Sequence, residues 1–168
     1  MEFVQQIHFL AIKLLENGLK QILISMRPKQ WTKNVILFAA LIFSQNLFHG
    51  QNFLRVLEAF ILFTLLSGSV YIFNDLIDIE KDRCHPRKSQ RPLASGKLKP
   101  TNAIFVSTFI GITSLVFSFL LNIRFGMVAF SYLILQLAYT FSLKHIIILD
   151  VFCVAAGFVL RVLAGAVV

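Results

Sequence analysis

Five long apolar segments, separated by polar connections, constrain the fold of this chain more than any other feature of its sequence. They run over residues 34–48, 54–74, 102–122, 126–143 and 146–168. Most approach the ~20 residues that an α-helix needs to cross a bilayer, and the first is short. Hydrophobic residues make up 57% of the 168 and charged residues only 14%, which excludes an ordinary soluble domain. The sequence therefore predicts an all-α, multi-pass transmembrane helical bundle with about five spans.

The chain divides into a short amphipathic part and a transmembrane part. In residues 1–26 apolar side chains recur at helical spacing among charged ones, which predicts an amphipathic helix on the membrane surface. Residues 27–168 form the predicted transmembrane domain. The fifth segment ends at Val168 without a polar tail, so we expect the chain to be part of a longer one.

The long polar connection over residues 75–101 indicates how the bundle is oriented. It holds seven Lys and Arg residues, and such residues concentrate in the cytoplasmic loops of membrane proteins. We therefore expect it to face the cytoplasm. The net charge of +8 does not indicate a nucleic-acid partner, because the basic residues flank apolar segments and topology accounts for most of them.

Half of the eight acidic residues lie within eight positions at the end of the second segment. If the helix continues through Asp82, then at ~100° per residue Asn74, Asp75, Asp78 and Asp82 share one face, whereas Glu80 points away. Carboxylates at a membrane boundary are costly unless they bind something. Mg²⁺ takes oxygen ligands from carboxylates and completes its shell with water and substrate phosphates. We predict that these four residues bind Mg²⁺ and a diphosphate, with the three aspartates as catalytic residues.

A dense basic stretch follows the acidic cluster. Arg87, Lys88 and Arg91 can contact diphosphate oxygens from the connection, each arginine by a bidentate contact. Lys33, before the first segment, is a further candidate phosphate ligand. For all four residues, a solvated cytoplasmic loop or membrane anchor that fixes topology is an alternative of similar weight.

Polar residues at the end of the fourth segment and within the fifth are also candidates for substrate binding. Lys144 lies where it can meet a diphosphate, and a membrane anchor is the alternative. Asp150 and Arg161 are eleven residues apart and share a helix face. We expect Asp150 to bind the second substrate or to brace Lys144, and Arg161 to meet a lipid phosphate or a carboxylate. The alternative is a structural ion pair inside the bundle.

Two motifs carry a resemblance to a known family. Asn74, Asp75, Asp78 and Asp82 match N-D-x-x-D-x-x-x-D, and residues 91–96 match R-P-[LI]-x-x-G. Both are signatures of the UbiA superfamily of membrane prenyltransferases, which this chain resembles. A Y-x-x-x-x-K pattern of the family adds Tyr139, with Lys144, as a substrate-binding candidate. Residues 26–34, 85–86 and 150–161 resemble the family's decaprenyl-phosphate phosphoribosyltransferase branch.

The resemblance implies a Mg²⁺-dependent transferase with its active site facing the cytoplasm, in a bacterial plasma membrane. Its substrates would be 5-phosphoribosyl 1-diphosphate and a polyprenyl phosphate, for the synthesis of lipid-linked sugars of the cell envelope. One alternative is a prenyltransferase that uses a prenyl diphosphate and an aromatic or glycerol-phosphate acceptor. The other is a non-catalytic membrane subunit or transporter. The sequence leaves open whether the protein forms homo-oligomers.

Overall fold

The computed structural model describes residues 16–45 and 49–168 and is built from helices. In this part of the chain, four helices are long and apolar enough to cross a membrane. They are α1 (Gly50–Ile77), α2 (Pro100–Leu121), α3 (Ile123–Phe141) and α4 (Ile147–Val167). The prediction of an all-α multi-pass bundle is confirmed, and the protein is an integral membrane protein.

Shorter helices connect or precede the four long ones. Residues 16–25 are helical, whereas the rest of the predicted amphipathic helix, residues 1–15, lies outside the described residues. A 3₁₀ helix, Pro28–Phe38, runs directly into a short α-helix, Ala39–Phe43. Between α1 and α2 lie the α-helix Ile79–Arg83 and the 3₁₀ turn Lys88–Gln90, and the 3₁₀ turn Leu143–His145 joins α3 to α4.

The first predicted span, residues 34–48, differs most from the prediction. Its residues 34–43 belong to the 3₁₀ helix and the short α-helix rather than to one long α-helix, residues 44–45 form a turn, and residues 46–48 lie outside the described part. A 3₁₀ helix rises about 2.0 Å per residue against 1.5 Å for an α-helix, so this short segment extends further than its length suggests. Asn34 is buried within it, which places a polar side chain inside the bundle.

The turn between α2 and α3 is tighter than the sequence suggested. Residues 123–125, predicted to be a loop, are the first turn of α3. The Asn122 side chain accepts hydrogen bonds from the backbone N–H groups of Arg124 (2.8 Å) and Phe125 (3.3 Å), which caps α3 at its N-terminus. Helices α2 and α3 therefore form a hairpin joined by the single residue Asn122. Likewise, α1 begins at Gly50 and not after residue 53.

The main core lies between the 3₁₀ helix, α1, α3 and α4. Its largest buried side chains are Leu37, Phe63, Phe125 and Tyr132. Gly165 on α4 lies so close to the 3₁₀ helix that a Cβ atom there would overlap the Leu37 carbonyl oxygen. Small residues permit such close backbone contact in membrane bundles. As a result, α4 is held directly against the segment that carries Asn34.

The connection between α1 and α2 is folded against the bundle. Leu93 and Leu98 are buried with Met26 and Ile72 in a second apolar cluster. Gly96 has φ +76°, a left-handed conformation that glycine adopts at little cost. This accounts for the glycine in R-P-L-A-S-G, because the chain reverses there. The connection thereby holds its basic residues over one end of the bundle.

Candidate functional site

The acidic motif lies where α1 ends. The α-helix ends at Ile77, Asp78 caps it with φ −92° and ψ 7°, and a new helix begins at Ile79. The predicted continuous helix through Asp82 is therefore interrupted at one residue. The backbone N–H groups of Asp78 and Asp82 still bond four residues back, to the carbonyl oxygens of Asn74 and Asp78. The helical periodicity of the motif is thus largely kept.

Two arginines from distant parts of the chain neutralise Asp75 and Asp82. Asp75 is buried and forms ion pairs with Arg27 and with Arg91, the latter at 3.1 Å. The same Arg91 Nη1 atom lies 2.5 Å from Asp82 Oδ2, so Arg91 bridges two aspartates of the motif. Arg27 lies 4.9 Å from the centre of the Tyr71 ring and has φ +54° directly before Pro28. The guanidinium groups hold the N-terminal segment and the connection against the end of α1.

Asp78 forms an ion pair with a residue from the opposite side of the bundle. The Lys144 Nζ atom lies 2.7 Å from both carboxylate oxygens of Asp78. Both side chains are mostly buried, with 14% and 17% of their surfaces exposed. Since Lys144 belongs to the connection between α3 and α4, this pair links that connection to the end of α1. Lys144 thus pairs with Asp78 rather than with Asp150, and a role of Asp150 in binding the second substrate stays a prediction.

Asn74 is the exception to this pattern of satisfied polar groups. Its Oδ1 atom is buried and, among the described residues, is the one buried side-chain oxygen or nitrogen without a hydrogen-bond partner. An unsatisfied buried amide oxygen costs free energy unless a ligand or water satisfies it. Asn74 also lines the cavity described next. Its oxygen is therefore available to a ligand.

A cavity of about 560 Å³ brings most of the predicted site residues together. Of the twelve, nine line it: Lys33, Asn74, Asp78, Asp82, Lys88, Arg91, Tyr139, Lys144 and Arg161. The other three do not. Asp75 contacts the cavity-lining Arg27 and Arg91, Asp150 accepts a hydrogen bond of 2.9 Å from the Tyr139 hydroxyl, and Arg87 is exposed on the connection.

Basic residues dominate the lining of this cavity. Within the described part of the chain, seven Lys and Arg side chains line the cavity together with two carboxylates, those of Asp78 and Asp82. The seven are Arg27, Lys33, Lys81, Lys88, Arg91, Lys144 and Arg161. Such an excess of cations in a partly enclosed cavity favours a ligand with several negative charges.

Arg161 lies deep in the bundle and is not paired with Asp150, so neither the predicted ion pair nor a pair with another carboxylate forms. Its Nε donates to Asn34 Oδ1 at 2.8 Å, its Nη1 to the Gly157 carbonyl at 2.7 Å and its Nη2 to the Tyr132 hydroxyl at 3.0 Å. Among the described residues, no carboxylate forms an ion pair with it. The eleven-residue spacing places Asp150 and Arg161 on one face of α4 but about 16 Å apart along its axis, so the two side chains do not pair.

Several polar residues that the structure places at the site are not among the twelve candidates, and they include Arg27, Asn34, Tyr132 and Gln136. Arg27 and Asn34 lie in the segment 26–34. In the sequence, this segment is notable only for its resemblance to the phosphoribosyltransferase branch of the family and for its basic charge. Tyr132 and Gln136 line the cavity from α3. Helical spacing places them one turn apart and, with Tyr139, on one face of α3, and this was the signal available in the sequence.

The donor set fits a hard divalent cation that keeps substrate and water among its ligands. In the described part of the chain, no three His, Cys, Asp or Glu side chains lie together as a complete metal-binding group. Mg²⁺ does not need one, because it binds through one or two carboxylates and completes its shell with phosphates and water. The Asp78 and Asp82 carboxylates and the unsatisfied Asn74 oxygen are donors of the type that such an ion takes.

Comparison with known proteins places this chain in a family. Residues 35–168 match the family model described as the UbiA prenyltransferase family. The chain is 36% identical over 147 residues to decaprenyl-phosphate phosphoribosyltransferase of Mycobacterium tuberculosis, covering 85% of this chain and 49% of that protein. The same enzyme of Mycolicibacterium smegmatis is also 36% identical, over 85% of this chain and 46% of its own length.

A more distant relative carries a different name. Digeranylgeranylglyceryl phosphate synthase of Methanosphaera stadtmanae is 28% identical over 77% of this chain and 46% of its own. The chain therefore spans about half the length of the curated relatives it matches. Given the match of the family model to most of its residues, the chain belongs to the UbiA prenyltransferase family.

Proposed function

We propose that this chain takes part in the Mg²⁺-dependent transfer of a phosphoribosyl group from 5-phosphoribosyl 1-diphosphate to a polyprenyl phosphate. The proposal is supported by 36% identity to proteins named decaprenyl-phosphate phosphoribosyltransferase. Enzymes of this family generally depend on a divalent metal. The product would be a lipid-linked sugar phosphate for the cell envelope.

The observation that carries this proposal is the excess of Lys and Arg in a cavity that also holds the acidic motif. A prenyl diphosphate has one charged end and a long apolar tail. The phosphoribosyl donor has a charged group at each end of a polar sugar, and a cavity with cations along its whole depth suits it better. Arg161 extends the cationic lining into the bundle, where a prenyl tail would otherwise be expected.

The proposed reaction exchanges one phosphate ester bond for another at the anomeric carbon of the ribose. An oxygen of the lipid phosphate forms a bond to this carbon, and the bond from the carbon to the diphosphate breaks. The electron pair of that bond leaves with the diphosphate. Since the lipid phosphate is already an anionic nucleophile, no general base is required.

The residues of the cavity stabilise the departing diphosphate. Asn74, Asp78 and Asp82 would hold Mg²⁺, which supplies positive charge to the diphosphate oxygens. Arg91 and Lys144, now paired with aspartates, lie where they can donate to those oxygens instead. Lys33 and Lys88 add positive charge at the same cavity. Charge that develops on the leaving group is thereby neutralised as the bond breaks.

A prenyltransferase that uses a prenyl diphosphate is the second candidate. It is favoured by the similarity to digeranylgeranylglyceryl phosphate synthase, although at 28% identity. The acidic motif would then bind the prenyl diphosphate, and the apolar tail would leave the cavity towards the lipid. The two candidates differ in the donor, which an assay can distinguish directly.

A transfer assay on membranes tests the proposal. Membranes that contain the chain within its whole protein receive radiolabelled phosphoribosyl diphosphate, polyprenyl phosphate and Mg²⁺, and label in the organic phase is counted. We expect label in the lipid, and we expect Asp78→Ala to reduce it by at least about a hundredfold, as for loss of a residue that stabilises a leaving group. Glu80→Ala is the matched control, because Glu80 is exposed and pairs with Arg83 outside the cavity. Label that enters lipid from a prenyl diphosphate but not from phosphoribosyl diphosphate would favour the second candidate.

A further inference from the structure

The surroundings of Arg161 are those of a binding site for an anion. The residue is buried in α4, and no carboxylate of the described chain neutralises it. A charged group inside a membrane bundle is costly unless it is paired or serves a ligand. The partners that Arg161 does have are a side-chain amide, a backbone carbonyl and a hydroxyl, all of them neutral. The positive charge is therefore held in place without being cancelled.

The hydrogen bonds of Arg161 leave two of its donors free. A guanidinium group has five N–H donors, and three of them are used. One N–H on each Nη atom has no partner among the described residues, and Arg161 lines the cavity. Two such N–H groups on a planar guanidinium match two oxygens of a phosphate.

Neighbouring side chains fix the orientation of this guanidinium. Asn34 accepts from Arg161 Nε, and its amide nitrogen donates to Thr64 and Ser67, at 3.1 Å each. The rings of Tyr132 and Phe158 lie 5.0 and 5.6 Å from the guanidinium carbon. A preorganised donor loses little freedom when a ligand binds, which increases affinity.

Arg161 lies well away from the acidic motif along the same cavity. Its Nη1 atom donates to the Gly157 carbonyl, and Gly157 follows Asp150 by seven residues on α4, a rise of about 10 Å, while Asp150 contacts Tyr139 near the Lys144 end. A diphosphate held by Asp78, Asp82 and Lys144 would therefore leave Arg161 without an anionic partner.

We propose that Arg161 forms, with Asn34 as a positioning residue and Tyr132, a second anion subsite that binds a phosphate monoester at the inner end of the cavity. This inference rests on the proposed function in that the monoester belongs to one of the two substrates. It is either the sugar phosphate of the donor or the phosphate of the lipid acceptor. In both cases the subsite fixes the reactants relative to the diphosphate site.

Direct binding to the whole protein in nanodiscs tests this without catalysis. Three ligands are titrated: ribose 5-phosphate, geranyl phosphate, and inorganic pyrophosphate with Mg²⁺. For Arg161→Gln we expect at least about tenfold weaker binding of a monophosphate, as for loss of a charge-assisted hydrogen bond, with pyrophosphate affinity within about twofold of the wild type. Arg124→Gln is the matched control, because Arg124 is exposed at the start of α3 and outside the cavity.

A second variant keeps the size of the buried network. Asn34→Asp replaces an amide by a carboxylate of the same shape and gives Arg161 an internal counter-ion. We expect it to weaken monophosphate binding by at least about tenfold while the protein remains folded in size-exclusion chromatography. A folded Asn34→Asp protein with wild-type monophosphate affinity would contradict the role of Asn34.

The three ligands separate the possible results. A loss confined to ribose 5-phosphate assigns the subsite to the donor, and a loss confined to geranyl phosphate assigns it to the acceptor. The subsite is disproved if the wild type binds neither monophosphate, if Arg161→Gln binds both normally, or if it loses pyrophosphate equally. Failure of the wild type to bind pyrophosphate would count against the proposed function alone.

Discussion

At the scale of single residues, each aspartate of the motif is neutralised by a basic residue, and two of the three partners come from distant parts of the chain. Asp75 pairs with Arg27, Asp78 with Lys144 and Asp82 with Arg91. If a metal and a diphosphate bind together, each ion pair can separate. The carboxylate then binds the metal, and the basic residue binds the phosphate. The ion pairs therefore keep charges at the site compensated without a substrate, at a cost in desolvation.

The pair of Asp78 and Lys144 should couple two parts of the bundle measurably. In a double-mutant cycle with Asp78→Asn and Lys144→Gln, we expect a coupling free energy of about 1–2 kcal/mol, because both side chains are mostly buried. The measurement is the free energy of unfolding in detergent for the wild type, both single variants and the double variant. Glu80 and Arg83 form an exposed pair and serve as the control, with an expected coupling below about 0.5 kcal/mol. Equal coupling in the two pairs would show that burial does not strengthen the pair at the site.

At the scale of elements, the long apolar segments of the sequence predicted the long helices but not all of their ends. Composition alone identifies α1, α2, α3 and α4, since a membrane requires apolar helices of this length. The start of α3 depended on one side chain, Asn122, which caps a turn that looked like a loop. The first segment was misjudged because its 3₁₀ geometry is set by tertiary contacts, such as that between Leu37 and Gly165. Hydrophobicity carries no information about such contacts.

The sequence predicted the residues of the acidic motif but not their ion-pair partners. The motif spacing selected Asn74, Asp78 and Asp82, because residues three or four apart share a helix face. The sequence did not predict which basic residue pairs with which aspartate, since Arg27 and Asp75 are 48 residues apart and Lys144 and Asp78 are 66 apart. Long-range pairs of this kind depend on how the helices are arranged.

The close contact between α4 and the 3₁₀ helix leads to a prediction for Gly165. We expect Gly165→Ala to reduce the free energy of unfolding by about 1–3 kcal/mol, as for overpacking, because its Cβ would overlap the Leu37 carbonyl. Thermal unfolding in detergent measures the effect. Gly50→Ala is the control: among the described residues, no atom outside its own helix turn and chain neighbours lies within 4 Å of its Cβ position, so we expect a change below about 1 kcal/mol. If Gly165→Ala were as stable as the wild type, the two segments would be packed less closely than the structure shows.

At the scale of the whole molecule, the polar chemistry is concentrated at one end of the bundle. The N-terminal segment, the connection between α1 and α2, and the connection between α3 and α4 meet there through Arg27, Arg91 and Lys144. We propose that this end faces the cytoplasm, because it carries most of the basic residues that determine membrane topology. Water-soluble phosphoribosyl diphosphate would then enter from the cytoplasm, while the lipid acceptor would enter from the bilayer.

The two cysteines allow this orientation to be tested. Cys84 is exposed on the connection between α1 and α2, whereas Cys153 is buried in α4. We expect a membrane-impermeant maleimide to label Cys84 in inside-out vesicles but not in intact cells, and Cys84→Ser to abolish this labelling. In the Cys84→Ser background, a cysteine introduced by Asn52→Cys lies near the opposite end of α1 and should react from outside intact cells. Labelling of Cys84 from outside intact cells would show the opposite orientation. The donor would then have to reach the cavity from the outer face, although positive-inside topology does not place such a basic connection there.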